Sequence, residues 1–158
     1  MIVRMPEEQS GTVRQHGGVL DEWVSLADIY PTILDMAGVE LPERPVHGTS
    51  LVPLLENEET TWRDAVFVEF GGVNHLSTTM VSVRKGNMKY GWNCSGSDEL
   101  HDLSIDPYEM ENAIEEEEYS MRLSQMRQLL ADWMLQTGHL AIGMYEFSRL
   151  RSLGPMGT

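Results

Sequence analysis

Residues 119–138 constrain the fold more than any other stretch. Tyr119, Leu123, Met126, Leu130 and Trp133 recur at steps of three and four, and Leu129 and Met134 widen the stripe. That period places the apolar side chains on one face of an amphipathic helix. The acidic run at residues 115–118 precedes it, where negative charge suits the positive end of the helix dipole. Gly138 is placed to end it. A one-sided helix is marginal alone, so something must cover its stripe.

The preceding residues supply the cover. "AVFVEF" at residues 65–70 is rich in strand formers and reads as a central strand, because Glu69 is its only charge. "TTMVSVR" and "MKYGWN" flank the "KGN" turn at residues 85–87 and pair as a hairpin. "CSGSD" turns the chain again, and "ELHDL" is a fourth strand. The expected fold is α+β: a four-stranded antiparallel meander packed by the C-terminal helix. Earlier in the chain, Ile2 and Val3 read as the end of a buried strand stopped by Pro6. Residues 7–18 read as a loop. Leu26, Ile29, Ile33, Leu34 and Met36 fall at helical spacing. Asp28 is the expected N-cap of that helix, Pro31 sits in its first turn and Gly38 is the C′ residue. Residues 51–55 form one helical turn pressed onto a core by leucines.

The 158 residues suit one domain, or one domain plus part of another. No apolar run approaches the ~18 residues of a membrane span, and residues 1–11 do not have the pattern of a signal peptide. The formal net charge of −14 argues against nucleic acid and anionic membranes as partners, since both recruit clustered Lys and Arg. Cys94 is the only cysteine, so a disulfide within the chain and a cysteine-based metal site are both excluded.

"ELHDLSIDPYEMEN" at residues 99–112 raises the sharpest question. Its acids stand at 99, 102, 106, 109 and 111 without a glycine among them. A calcium loop needs alternating ligands and a glycine at its bend. On a strand, Glu99 and His101 point one way and Asp102 the other. The pattern therefore reads as a strand followed by a turn, with Asp106 bonding nearby amides and Pro107 presetting φ. The histidines at 16, 47, 75, 101 and 139 form no HxH, HExxH or HxxxH pair. GxSxG, P-loop and GxGxxG patterns are absent. His75, beside Asn74 on a loop behind Gly71 and Gly72, is the candidate for binding, because loops mounted on a scaffold carry such groups.

In order, "VSLADIYPTILDMAGVELP", "HGTSLVPLL", "RDAVFVEF", "VSVRKGNMKY", "ELHDLSIDPYEMEN" and the helix ending "WMLQTG" resemble the C-terminal third of the sulfatase family, in the alkaline phosphatase superfamily. The resemblance runs from about Ile2 to Gly138. His101 replaces the usual Tyr, and Met88 stands where an aromatic is common. The resemblance implies an α/β parent with a large catalytic domain and a smaller C-terminal subdomain. Residues 1–57 would then end the large domain, residues 58–143 form the subdomain and residues 144–158 make a tail. It also implies formylglycine, made in a C/S-x-P/A-x-R motif, and a calcium ion in the parent. Neither maps here, because Cys94 is followed by Ser95 and Gly96.

The expected partners are an N-terminal catalytic domain or a separate partner chain, and a sulfated small molecule or glycan as substrate. Asn74 and His75 are the substrate-binding expectation, with no catalytic or metal-binding residue in the chain. The expected activity of the parent is sulfate ester hydrolysis, the chain alone being inactive. The alternatives are a phosphate mono- or diester hydrolase of the same superfamily and a non-catalytic acidic module that complements another chain.

Overall fold

The computed structural model describes residues 1–4, 18–56, 60–71, 79–94 and 96–139. The chain divides into two compact units, Met1–Arg63 and Asp64–Thr158.

In the second unit, β1 (Ala65–Phe70), β2 (Met80–Lys85), β3 (Met88–Asn93) and β4 (Glu99–Asp102) form an antiparallel sheet in the order β1-β2-β3-β4. The β2–β3 hairpin turns through Gly86, whose φ of +56° is one that glycine adopts without steric cost. α3 (Ser120–Thr137) covers one face. Strand alternation sends Val81, Val83, Tyr90, Trp92 and Leu100 to that face, and the helix meets them with Leu123, Met126, Leu130 and Met134. Trp133 stacks on Phe67 at 4.6 Å between ring centroids. Gly138, at φ +65°, closes the helix, and the His139 amide donates to the Met134 carbonyl. The acids at 117 and 118 fall in a 3-10 turn ahead of α3 rather than in its first turn.

Two expectations change. Among the described residues β1 is an edge strand, not a central one. In a meander the first strand has only one neighbour, and its apolar content reflects the helix-facing Phe67 together with an outward row. In that row Val68 is 64% and Phe70 46% exposed. Residues 1–4 form no strand, and Ile2 is 99% exposed. A strand needs a partner, and the first unit has none among its described residues.

In that first unit, α1 (Ile29–Met36) follows a 3-10 turn at Leu26–Asp28. Asp28 holds the expected N-cap position of α1 but makes no side-chain cap bond there, and Ser25 caps the preceding turn. Its hydroxyl accepts from the Ala27 amide, and Asp28 reaches back to accept from the Ser25 amide, completing a capping box. Gly38 follows the helix at φ +65°, and the Val39 amide donates to the Leu34 carbonyl, as a Schellman end requires. α2 (Val52–Leu55) is the expected single turn, held by the buried Leu51 and Leu54.

Candidate functional site

Within "ELHDLSIDPYEMEN", residues 99–102 are β4, and Asp102, Asp106, Glu109 and Asn112 each tie the following loop by separate bonds. The Asp102 carboxylate accepts from the Ser104 hydroxyl at 2.5 Å and its amide at 3.0 Å. These two bonds lower its pKa, with Arg122 and Tyr119 adding to the effect. Asp106 accepts from the Glu111 amide at 3.0 Å, and this and neighbouring amides hold its pKa below the ordinary value. Lys89 from β3 pairs with Glu109, which occupies a left-handed backbone position at φ +55°. Asn112 ties the far end. Its Oδ1 accepts from the Leu100 and Ile114 amides, and its Nδ2 donates to the Asp98 carbonyl. The acids are spread along a wrapped loop instead of converging. Among the described residues no group of three or more His, Cys, Asp or Glu could hold a metal ion. The donor set of this loop therefore does not fit a calcium ion.

The histidines separate in the same way. His101 is buried on the open face of the sheet, with Nδ1 at 2.9 Å from the Glu111 carbonyl oxygen. The Glu99 and Asp106 carboxylates lie 3.9 Å away, beyond hydrogen-bond distance. His139 is buried at the end of α3, its Nε2 at 3.1 Å from Glu69 on β1. His47 is exposed. His16, and the expected binding pair Asn74 and His75, lie outside the described residues. The Cys94 thiol accepts from the Thr79 amide at 3.1 Å while its own amide donates to the Thr79 carbonyl. It serves as a strand-end clasp. A depression of about 200 Å³ opens on the sheet face opposite α3, with Val68, Phe70, Met80, Ser82 and Lys89 in its lining.

The most concentrated polar group was not foreseen. Asp28 is fully buried. Its carboxylate accepts from the Ser25 amide at 2.7 Å and the Thr49 amide at 2.9 Å. It also forms a two-pronged pair with Arg63 at 2.8 and 2.7 Å. Burial by itself raises the Asp28 pKa, but the guanidinium and the two amides outweigh it and leave the group below the ordinary carboxylate value. Beside it, the Thr32 hydroxyl donates to the Asp28 carbonyl and accepts from the Leu51 amide. Gly48 makes the approach possible, since a β-carbon there would lie 2.0 Å from the Ala27 carbonyl oxygen. Arg63 stands 35 residues from Asp28 in sequence, so no local signal joins them. All these bonds are internal, and the cluster has the chemistry of a structural knot.

Residues 1–136 match the family model described as N-sulphoglucosamine sulphohydrolase, C-terminal. The chain belongs to this sulfatase family. It is 38% identical over 118 residues to an arylsulfatase of Clostridium perfringens, covering 72% of this chain and 23% of that protein. It is 34% identical over 116 residues to an N-acetylglucosamine-6-O-sulfatase of Bacteroides thetaiotaomicron, covering 69% and 21%. A solved phosphonate monoester hydrolase of Agrobacterium radiobacter shares the fold with a TM-score of 0.64 at 30% identity, covering 77% of this chain and 26% of that one. The chain thus spans roughly a fifth to a quarter of the length of these sulfatases. The sheet with its helix is the sulfatase C-terminal fold, and the "ELHDLSIDPYEMEN" motif is part of its framework.

Proposed function

We propose that this chain is the C-terminal part of an enzyme that hydrolyses sulfate esters, with a sulfated small molecule or glycan as substrate. The match of residues 1–136 to the family model carries the reading, and the names of the two relatives support the substrate class. Residues 1–57 would close the large catalytic domain, and residues 58–143 would form the subdomain that braces it. In this reading the formylglycine and the calcium ion of the family would be supplied by the upstream portion. Asn74 and His75 are the residues of this chain proposed to reach the substrate.

The phosphonate monoester hydrolase neighbour keeps a phosphorus-ester substrate as the second reading. Joining the chain to the portion encoded upstream and assaying an aryl sulfate beside an aryl phosphate and an aryl phosphonate separates the two. Preference for the sulfate supports the proposal, whereas turnover of the phosphorus esters alone would replace it. In the joined protein, His75→Ala should raise KM more than it lowers kcat. An unchanged KM would remove that residue from the substrate site.

A further inference from the structure

The depression on the sheet face opposite α3 is made by a missing side chain. Alternate residues of β3 point to that face, and the middle position is Gly91, paired with Ser82 on β2 and Glu99 on β4. A β-carbon on Gly91 would meet only the Glu99 β-carbon, at 4.0 Å, so the space above the strand is open. The two sides of the dent differ in chemistry. On β1, the exposed Val68 and Phe70 form an apolar side. On β4, Glu99 and His101 form a polar side. The Nδ1 of the buried His101 lies 2.9 Å from the Glu111 carbonyl oxygen. A carbonyl only accepts, so Nδ1 carries the hydrogen and the lone pair of the uncharged ring sits on Nε2. Glu99 Oε2 stands 3.9 Å from that nitrogen, beyond hydrogen-bond distance, so the two groups are acceptors side by side. The cation on this face, Lys89, is paired with Glu109.

We propose that this dent is a binding site for a single uncharged pyranose ring. The volume of about 200 Å³ is below the ~300–1,000 Å³ of sites for larger ligands, which limits the occupant to one small ring. A pyranose matches both sides of the dent. Its C–H face lies against Phe70 and Val68, and two neighbouring hydroxyls donate to His101 Nε2 and Glu99 Oε2. A wholly apolar ring would desolvate both acceptors and leave them without donors. A sulfated or carboxylated ring would meet the Glu99 carboxylate, on a chain whose formal net charge is −14 and whose nearby lysine is already paired. The proposal needs only the geometry of the dent and does not depend on the sulfatase reading.

The test is to titrate the 158-residue chain with methyl glucoside, methyl galactoside, methyl mannoside and a sulfate ester of each, and to follow its amides by NMR. The expected result is that at least one neutral glycoside gives saturable shifts centred on Phe70, Gly91 and His101, and binds more tightly than its sulfate ester. Gly91→Val should abolish the binding by filling the dent. Valine suits a strand and its β-carbon has room there, so the variant should unfold no earlier than the parent. Glu99→Gln exchanges a charged acceptor for a neutral one and should weaken the neutral glycoside about fivefold while narrowing the preference over the sulfate ester. The proposal is overturned if no neutral glycoside binds saturably, if the sulfate esters bind more tightly, or if Gly91→Val binds as the parent does. Ligand-observed NMR on the chain joined to its upstream portion should show the same binding, and its loss there would overturn the proposal by showing that the face is covered. Binding in a joined protein that does not act on sulfate esters would leave the sugar site standing while the sulfatase reading falls.

Discussion

Replacing Arg63 with Met should loosen the first unit while leaving the sheet untouched. The substitution removes both prongs of the pair to Asp28, at 2.8 and 2.7 Å, and keeps much of the side chain's apolar length. Breaking a buried pair by deleting one partner costs about 3–5 kcal/mol, because the remaining charge is stranded. Arg63 keeps 23% of its side chain exposed while Asp28 keeps none, so water relieves some of the loss. The expected cost is at the low end, about 3 kcal/mol, or more than a hundredfold in the opening equilibrium. Native-state hydrogen exchange reads this residue by residue. The Thr49 and Leu51 amides, which donate to Asp28 and Thr32, should lose about a hundredfold in protection. The Val83 and Tyr90 amides, in the middle of the sheet, should not change. Replacing both partners, Asp28→Leu with Arg63→Met, should recover part of the loss, since no charge is left buried. A change below about 1 kcal/mol at Thr49 would refute the knot, placing the pair in the range of surface ion pairs.

Three further outcomes follow from the same geometry. Because the folded pKa of Asp28 lies below its ordinary value of 3.8, the carboxylate's contribution is complete above that value. It is lost as pH falls through the depressed folded value, so Trp23 and Trp62 fluorescence should report loosening of the first unit in acid. Unchanged fluorescence down to the acid limit would count against the assigned bonds. Gly48→Ala should cost about 2 kcal/mol or more in urea unfolding, because the new β-carbon would lie 2.0 Å from a backbone oxygen that cannot swing away. A neutral effect would mean that residues 27 and 48 are farther apart than described. Asn112→Ala removes three hydrogen bonds at a partly exposed position and should cost about 1–2 kcal/mol. Asn112→Asp should recover some of this, since its oxygens can still accept from the Leu100 and Ile114 amides.

The sheet was readable because its signals are local. Alternating residues and the "KGN" turn located the β2–β3 hairpin, and the three- and four-residue steps located α3. The edge position of β1 was not readable from composition. Val68 and Phe70 look the same in sequence whether a further strand lies beside them or not. The turn after β4 is legible from Asp106 and Pro107, but the Lys89–Glu109 pair and the anchoring by Asn112 depend on register between distant residues. The Asp28–Arg63 knot is hidden for the same reason, and it also explains why Asp28, at the expected N-cap position of α1, makes no side-chain cap bond to that helix. An aspartate before a helix looks like a cap, yet Asp28 serves as the third residue of the box that Ser25 begins. Periodicity shows the apolar stripe of α1, but it cannot say that Leu26, Ile29 and Ile33 stay exposed while Leu34 and Met36 are half-buried. Asn74 and His75 were named from loop position and family likeness, and they lie outside the described residues.

If the chemistry of the proposed enzyme resides upstream of these residues, an aryl sulfate assay of the 158-residue chain alone, with calcium present, should show it at once. The rate should be indistinguishable from buffer, because no nucleophile motif and no converging carboxylates are found among the described residues. Calcium-dependent turnover that scales with the amount of chain, and vanishes when calcium is chelated, would contradict it.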